Sequence, residues 1–265
     1  MATESSSPEL SHDDFRARRN YLPDEAFAFV RGSNESPTSP MPADQWHGLI
    51  DLPTDVLLRT TDHQGAQLAQ LHDLWGEWVE TLPLRVDLAP YIFNAGWDAA
   101  DDFNATVFVT AHGYYRQGMA NLRSALEGLT TAASFAVRQD RPGLEHWLSG
   151  QNDPPRPVEV RGILAPTLGP EISGILKQLY RELSGYVHSQ PSATNAVLWG
   201  GSNGPVWERD SFHRVYCYFR DVMAMGFVLL ALSWRSFSIT RQLLPLFQGR
   251  MSGWKDIPPE TLMQW

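Results

Sequence analysis

The chain has 265 residues, of which 43% are hydrophobic and 19% charged, the composition of a globular protein that can bury a core. Collagen-like, disulfide-stabilised and wholly disordered chains are excluded, because their glycine, cysteine and charge contents differ from those found here. The single cysteine, Cys217, leaves no paired-cysteine site for zinc or redox chemistry. The formal net charge of −9 argues against a general nucleic-acid-binding surface.

The acidity is concentrated in the N-terminal part. Residues 1–111 contain 6 basic and 18 acidic side chains, a charge of −12, whereas residues 112–265 contain 15 basic and 12 acidic ones, a charge of +3. Residues 1–45 are rich in Ser, Pro, Asp and Glu and are predicted to form a flexible tail, followed by a single domain over residues 46–265. We predict a cytoplasmic location, because no signal peptide is apparent and the most apolar run, residues 222–234, is shorter than the ~20 residues that a bilayer requires.

Hydrophobic periodicity predicts a mostly helical domain. Residues 46–62 are expected to be extended. From Gln64 to Leu82, apolar side chains recur at intervals of three and four residues, which predicts an amphipathic helix. A longer helix is predicted from about Asp98 to Gln139, with Gly113 and Gly118 as candidate kinks.

The second half of the chain continues in the same pattern. A short helix near residues 144–148 precedes a proline-rich loop, and Pro170 occupies the first turn of the next long helix. The last long helix is predicted over about residues 211–244. An Asn-Gly turn within residues 196–207 predicts a small β-hairpin or ordered loop. The predicted fold class is therefore all-α, an antiparallel bundle of four or five helices with its core at about residues 98–245.

Two polar side chains share a face of the helix that follows Pro170. Arg181 and His188 are seven residues apart, so at about 100° per residue they differ by only ~20° around the helix axis. The apolar stripe that includes Leu176, Tyr180 and Val187 is centred roughly 120–140° away. Histidine exchanges a proton near neutral pH, and guanidinium binds phosphate oxygens, so the pair suits phosphodiester cleavage. The alternative is an ordinary exposed or interface pair.

The Arg181-x6-His188 pattern, downstream of a long helix that bears Arg123 and Glu127, resembles the HEPN superfamily of helical-bundle proteins. The Arg-x4–6-His motif of that family marks toxin-like, metal-independent ribonucleases. The resemblance implies an endoribonuclease of a bacterial defence or toxin–antitoxin system, with His188 as general base and acid and Arg181 stabilising phosphate charge. It implies RNA or a nucleotide as partner, a homodimer that forms a composite site, an antitoxin or defence-system partner protein, and no cofactor, metal or membrane.

The resemblance leaves a second function open. Glu182 follows Arg181 where the family usually has Asn, Asp or His, and a carboxylate there would pair with Arg181 or repel phosphate. Catalytically inactive relatives are common in the family and serve as sensor or ligand-binding modules. The alternative is therefore a non-catalytic helical sensor or interaction module that uses the same face.

Further candidate residues lie on the upstream helix. His112, Arg116, Arg123 and Glu127 fall within about 60° of one another if the helix is continuous. Arg116 and Arg123 are predicted to bind phosphate, with Glu127 orienting Arg123 at its i,i+4 spacing and Ser184 completing the substrate-binding set. The alternative is a solvated stripe with one ion pair.

A glycine-rich motif, several tryptophans and pairs of adjacent acidic residues are the other features of the sequence. Residues 200–204 match G-x-S-x-G, but without a preceding strand and a following helix they are read as a glycine-rich turn. Trp75 and Trp78 fit a core stripe, and Trp199 and Trp207, which flank the glycine turn, are candidate ligand contacts. Adjacent acids such as Asp102 are read as charges at a helix N-terminus.

Overall fold

A computed structural model describes residues 51–151, 153, 155–187, 205–248 and 253–265. Among these residues there is no strand, and this part of the chain is mostly helical, consistent with the predicted all-α class. In chain order the helices are α1 (Leu52–Thr81), α2 (Phe93–Ala111), α3 (Tyr115–Arg138), α4 (Arg141–Leu148), α5 (Pro157–Val187), α6 (Arg209–Ser233), two 3-10 helices (Arg241–Phe247 and Gly253–Asp256) and α7 (Pro259–Leu262). Almost all described residues belong to one compact unit, Pro53–Trp265.

Helix α1 begins earlier than the sequence predicts. The expected extended segment is wrong from Leu52 onward, because Pro53 lies in the first turn, where its missing N–H costs no hydrogen bond. Gln64 has non-helical φ −131° and ψ 15°, which marks a kink between two helical stretches. The predicted helix after Gln64 is confirmed. Its Trp78 is fully buried, donates Nε1–H to the Gly96 carbonyl at 3.0 Å and packs against Phe227 of α6.

The long helix expected over residues 98–139 is two helices. Gly113 has φ +81° in the turn between α2 and α3, and a Cβ there would lie 2.5 Å from the Val206 carbonyl oxygen. Glycine is therefore required at this position, because the φ angle is positive and there is no room for a Cβ atom. The chain reverses at this turn, and α2 and α3 form the most extensive helix–helix contact of the described structure. Asp102 lies in the middle of α2 rather than at its N-terminus, which corrects the sequence interpretation.

Helix α5 folds back on itself at Gly169, which has φ +75° and ψ 168° and lies just before Pro170. Along a straight helix, Arg161 and Tyr180 would be about 28 Å apart. The Arg161 Cζ atom instead lies 4.9 Å from the centre of the Tyr180 ring, so the two halves of α5 run back along each other. The prediction that Pro170 opens a helix is confirmed, whereas the helix over residues 157–168 was not predicted.

Helix α3 lies among α2, α5 and α6 and is buried along most of its length. Helix α6 has the length and composition of a membrane span, but 83% of its most apolar window is buried inside the protein, as in a core helix. It ends at Ser233 rather than near residue 244. Phe237 stacks against both Trp234 and Phe227, which turns the chain back onto the core after α6.

Two predicted segments lie wholly or mostly outside the residues that the structure describes. The N-terminal tail, residues 1–45, lies outside the described residues, as do residues 196–204 of the expected hairpin. Residues 205–208 have no regular secondary structure.

Candidate functional site

Arg181 lies on the solvent-facing side of the second half of α5. Its side chain is 76% exposed, whereas Leu179, Tyr180 and Leu183 are buried. The separation of Arg181 from the apolar face agrees with the sequence prediction. Val187 is exposed instead of buried, and Tyr186 takes its place in the core.

His188, the other predicted catalytic residue, lies outside the described residues. Helix α5 is described as far as Val187, the residue directly before it.

The carboxylate of Glu182, on α5, lies next to α6. It accepts a hydrogen bond from Tyr218 Oη at 2.5 Å and one from Gln178 Nε2 at 2.9 Å. Burial, followed by the hydrogen bond to this carboxylate, raises the pKa of Tyr218 well above its usual range, so the phenol remains a donor. Arg181 Nη2 is 3.6 Å from Glu182 Oε1, a long contact made by an exposed guanidinium, which contributes little. The expected pairing therefore exists but does not bury the Arg181 guanidinium.

Arg123 connects α3 to α5 and is only 8% exposed. Its Nη2 lies 2.5 Å from Glu127 Oε1, the ion pair that the i,i+4 spacing predicts. Its Nε donates to Ser184 Oγ at 3.2 Å, and its Cζ lies 4.2 Å from the centre of the Tyr180 ring. Three of the predicted substrate-binding residues, Arg123, Glu127 and Ser184, are thus brought together, in an interhelical contact.

Arg161 was missed by sequence reasoning. Its guanidinium packs on the Tyr180 ring, which also contacts Arg123, and Tyr180 Oη is hydrogen-bonded to Thr130 Oγ1. Burial raises the pKa of the Tyr180 phenol. No sequence spacing predicts this arrangement, because it depends on the reversal of α5 at Gly169.

Arg116 contacts the last turn of α5. Its Nε donates to the Tyr186 carbonyl at 3.1 Å and its Nη2 to the Val187 carbonyl at 3.3 Å. A cation at the C-terminal end of a helix is favoured by the helix dipole and by the carbonyls left without helical donors. Arg214 of α6, a second residue that the sequence did not indicate, donates to Tyr186 Oη at 3.2 Å. The end of α5 that leads to His188 is therefore fixed by two arginines.

His112 does not share a helical face with Arg116. It is the C-cap of α2, with Nδ1 2.8 Å from the Phe108 carbonyl, and the turn at Gly113 separates it from α3. The predicted four-residue polar face is therefore wrong at His112. The sequence interpretation failed because it treated α2 and α3 as one helix.

Asp102 and its neighbours form the acidic part of α2. Burial raises the pKa of Asp102 to about 6, a hydrogen bond from Ser124 of α3 opposes the shift, and Asp98 and Asp101 add to it. The carboxylate is therefore partly desolvated on the α3 side of α2.

The other candidates from the sequence are the tryptophans and the G-x-S-x-G match. Trp75 and Trp78 pack with the core, as the sequence predicts. Trp207 is half-buried and lies 4.7 Å from the His63 ring. The G-x-S-x-G match at residues 200–204 is outside the described residues, within which no group of three or more His, Cys, Asp or Glu side chains could hold a metal ion.

Comparison with protein-family models, with curated proteins and with solved structures gives no match for this chain. Any function proposed for it therefore depends on its own residues.

Proposed function

We propose that the protein is a HEPN-like endoribonuclease in which Arg181 and His188 act on the same phosphodiester. The observation that carries the proposal is the largely exposed guanidinium of Arg181 on the outer face of α5, seven residues before His188. Glu182 is hydrogen-bonded by Tyr218 and Gln178, so the neighbouring carboxylate leaves Arg181 accessible to phosphate.

The proposed reaction is a transesterification. The neutral imidazole of His188 removes the proton of a ribose 2′-hydroxyl, and the oxygen attacks phosphorus. The P–O5′ bond breaks as the 5′-oxygen takes a proton from the imidazolium, which returns to its neutral form. The guanidinium of Arg181 stabilises the negative charge that develops on the phosphoryl oxygens. The products are a 2′,3′-cyclic phosphate and a 5′-hydroxyl, and the resemblance implies that no metal takes part.

The helix contacts support the bundle that the resemblance implies. Helix α3 packs against α2, α5 and α6, the arrangement expected for an inner helix of an antiparallel bundle of four or five helices. We further propose that two chains form a composite site as a homodimer, in the cytoplasm, within a defence or toxin–antitoxin system.

A non-catalytic sensor or interaction module is the second candidate, and a specific observation favours it. Arg123 and Ser184 are used between α3 and α5, and Arg116 contacts the end of α5, so three residues expected to bind substrate have structural contacts. A site with fewer free phosphate-binding groups suits recognition of a nucleotide or a protein partner without cleavage.

The test compares RNA cleavage by wild type, Arg181→Ala and His188→Ala in the presence of EDTA. Arg235→Ala is the matched control, because Arg235 is an exposed arginine after α6 and outside the proposed site. We expect cleavage to fall by about 10²-fold or more in each site variant and to be unchanged in the control. Equal cleavage by all proteins, or none by wild type, would overturn the nuclease. RNA or nucleotide binding without cleavage, weakened by Arg181→Ala, would identify the module.

A further inference from the structure

Tyr218 of α6 contacts the residue that follows Arg181 on α5. Its Oη donates a hydrogen bond to Glu182 Oε2 at 2.5 Å, between residues 36 positions apart. Tyr218 is 3% exposed, and in the described part of the chain Glu182 is the only hydrogen-bond partner of its hydroxyl. A buried hydroxyl that lost this bond would pay the cost of desolvation without a partner. The Glu182 side chain is therefore anchored to α6.

This anchoring sets the distance between Glu182 and Arg181. One carboxylate oxygen, Oε2, is bonded to Tyr218, and the other, Oε1, accepts from Gln178 Nε2 at 2.9 Å. Arg181 Nη2 lies 3.6 Å from Oε1, which is longer than the charged N–H···O bond of about 2.7–2.9 Å. A movement of less than about 1 Å would turn this contact into a full ion pair. The carboxylate is thus adjacent to the guanidinium but is bonded to other groups.

The pairing that Tyr218 prevents would compete with phosphate. Among the described residues, the contact with Glu182 is the only ion pair of Arg181, whose side chain is 76% exposed. The Glu182 side chain is 24% exposed, so it can turn outward if its buried donor is removed. A carboxylate bonded to the guanidinium would occupy the N–H groups that a phosphate group needs.

The position and protonation state of Tyr218 are both fixed. Its ring packs edge-on against Tyr186 of α5, with ring centres 6.0 Å apart and an angle of 72° between the planes. Tyr186 Oη accepts a hydrogen bond from Arg214 Nη1 at 3.2 Å. Burial, followed by the hydrogen bond to Glu182, raises the pKa of Tyr218 well above its usual range. The phenol is therefore a donor to Glu182 at neutral pH.

We propose that Tyr218 is a positioning residue that holds the carboxylate of Glu182 away from Arg181 and so keeps the guanidinium available to a phosphate group. The inference rests on the proposed function in one respect, that Arg181 is the group that binds phosphate. It applies to a nuclease and to a nucleotide-binding module alike. Because Tyr218 is buried, it acts through Glu182 and not on the substrate.

The first test measures the rate at which phenylglyoxal modifies Arg181 in the full chain, followed by peptide mass spectrometry. In Tyr218→Phe, Glu182 pairs with Arg181, and we expect the modification to slow by about threefold or more, because an ion pair shields the guanidinium and favours its charged form. The double variant Tyr218→Phe/Glu182→Gln should recover the wild-type rate, since a neutral amide forms no ion pair. Arg235, an exposed arginine after α6, is the internal reference.

Tyr216→Phe is the matched control. Tyr216 is another buried tyrosine of α6, and its Oη donates to Gln70 Oε1 at 2.5 Å. Its replacement removes the same kind of bond without changing a contact of Glu182, so Arg181 should react at the wild-type rate. A wild-type rate in Tyr218→Phe, or equal slowing in both tyrosine variants, would overturn the proposal. A double variant that stays as slow as Tyr218→Phe would also overturn it.

RNA cleavage is the second test and separates this inference from the proposed function. If wild type cleaves RNA, Tyr218→Phe should lower kcat/KM by about tenfold, and the added Glu182→Gln should restore it. A loss that Glu182→Gln does not restore would overturn the positioning role, because neutralising Glu182 does not repair a purely structural defect. If wild type does not cleave RNA, the nuclease is refuted, and the reactivity of Arg181 still decides the role of Tyr218.

Discussion

Replacement of Arg123 by Ala should destabilise the protein by about 2–6 kcal/mol, the range spanned by three lost contacts. The variant loses a charged hydrogen bond to Ser184, worth about 1.5–3 kcal/mol. It also loses the contact with the Tyr180 ring, worth about 0.5–2 kcal/mol. The pair with Glu127 adds no more than about 1 kcal/mol, because the Glu127 side chain is 44% exposed.

Equilibrium urea unfolding measures this loss as a lower urea concentration at the unfolding midpoint, with an unchanged m-value. Arg235→Ala serves as the exposed-arginine control and should change the free energy of unfolding by less than about 0.5 kcal/mol. A double-mutant cycle with Glu127→Gln isolates the ion pair, for which we expect a coupling of about 1 kcal/mol or less. If Arg123→Ala unfolds at the wild-type midpoint yet loses RNA binding, the interhelical role assigned to Arg123 is refuted.

Three further changes test other parts of the fold. Because burial raises the pKa of Asp102 to about 6, its ionised form opposes folding above that pH. Asp102→Asn should therefore raise the free energy of unfolding by about 1 kcal/mol at pH 7.5, after allowance for solvent screening. This gain in the free energy of unfolding should vanish as the pH falls from 6 to 4. The same gain at pH 4 and at pH 7.5 would contradict a raised pKa for Asp102. Gly113→Ala should cost about 2–4 kcal/mol in thermal or urea unfolding, because its positive φ and the nearby Val206 carbonyl exclude a side chain. Gly226→Ala should cost about 1–3 kcal/mol by pressing on the Trp78 ring, whereas the control Gly76→Ala, which meets nothing within 4 Å, should be neutral or slightly stabilising.

The parts of the fold that follow from one helical face could be predicted from the sequence. The spacing of Leu71 and Trp78 located the second stretch of α1, and Pro170 located the start of the second half of α5. The position of Arg181 away from the apolar face also followed from the 3.6-residue period alone.

Features that depend on chain reversals could not be predicted. Helical periodicity continues through Gly113, so α2 and α3 were read as one helix and His112 was placed beside Arg116. The fold at Gly169 brings Arg161 onto Tyr180, a contact between residues 19 positions apart along α5. The burial of Arg123 could not be predicted either, because a guanidinium is expected at the surface until its partners are known. Here Glu127, Ser184 and the Tyr180 ring contact it, and its buried Nη1 atom has no hydrogen-bond partner among the described residues.

Imidazole rescue of His188→Ala tests the central claim most directly, because it asks whether the missing group is a proton-transfer base. On a defined RNA oligonucleotide, the account predicts that wild type cleaves, that His188→Ala does not, and that added imidazole restores cleavage to the variant. The double variant Arg181→Ala/His188→Ala should not be rescued, since the developing phosphate charge would remain unstabilised. Cleavage by His188→Ala at the wild-type rate, or an inactive variant that imidazole leaves inactive, would contradict the claim.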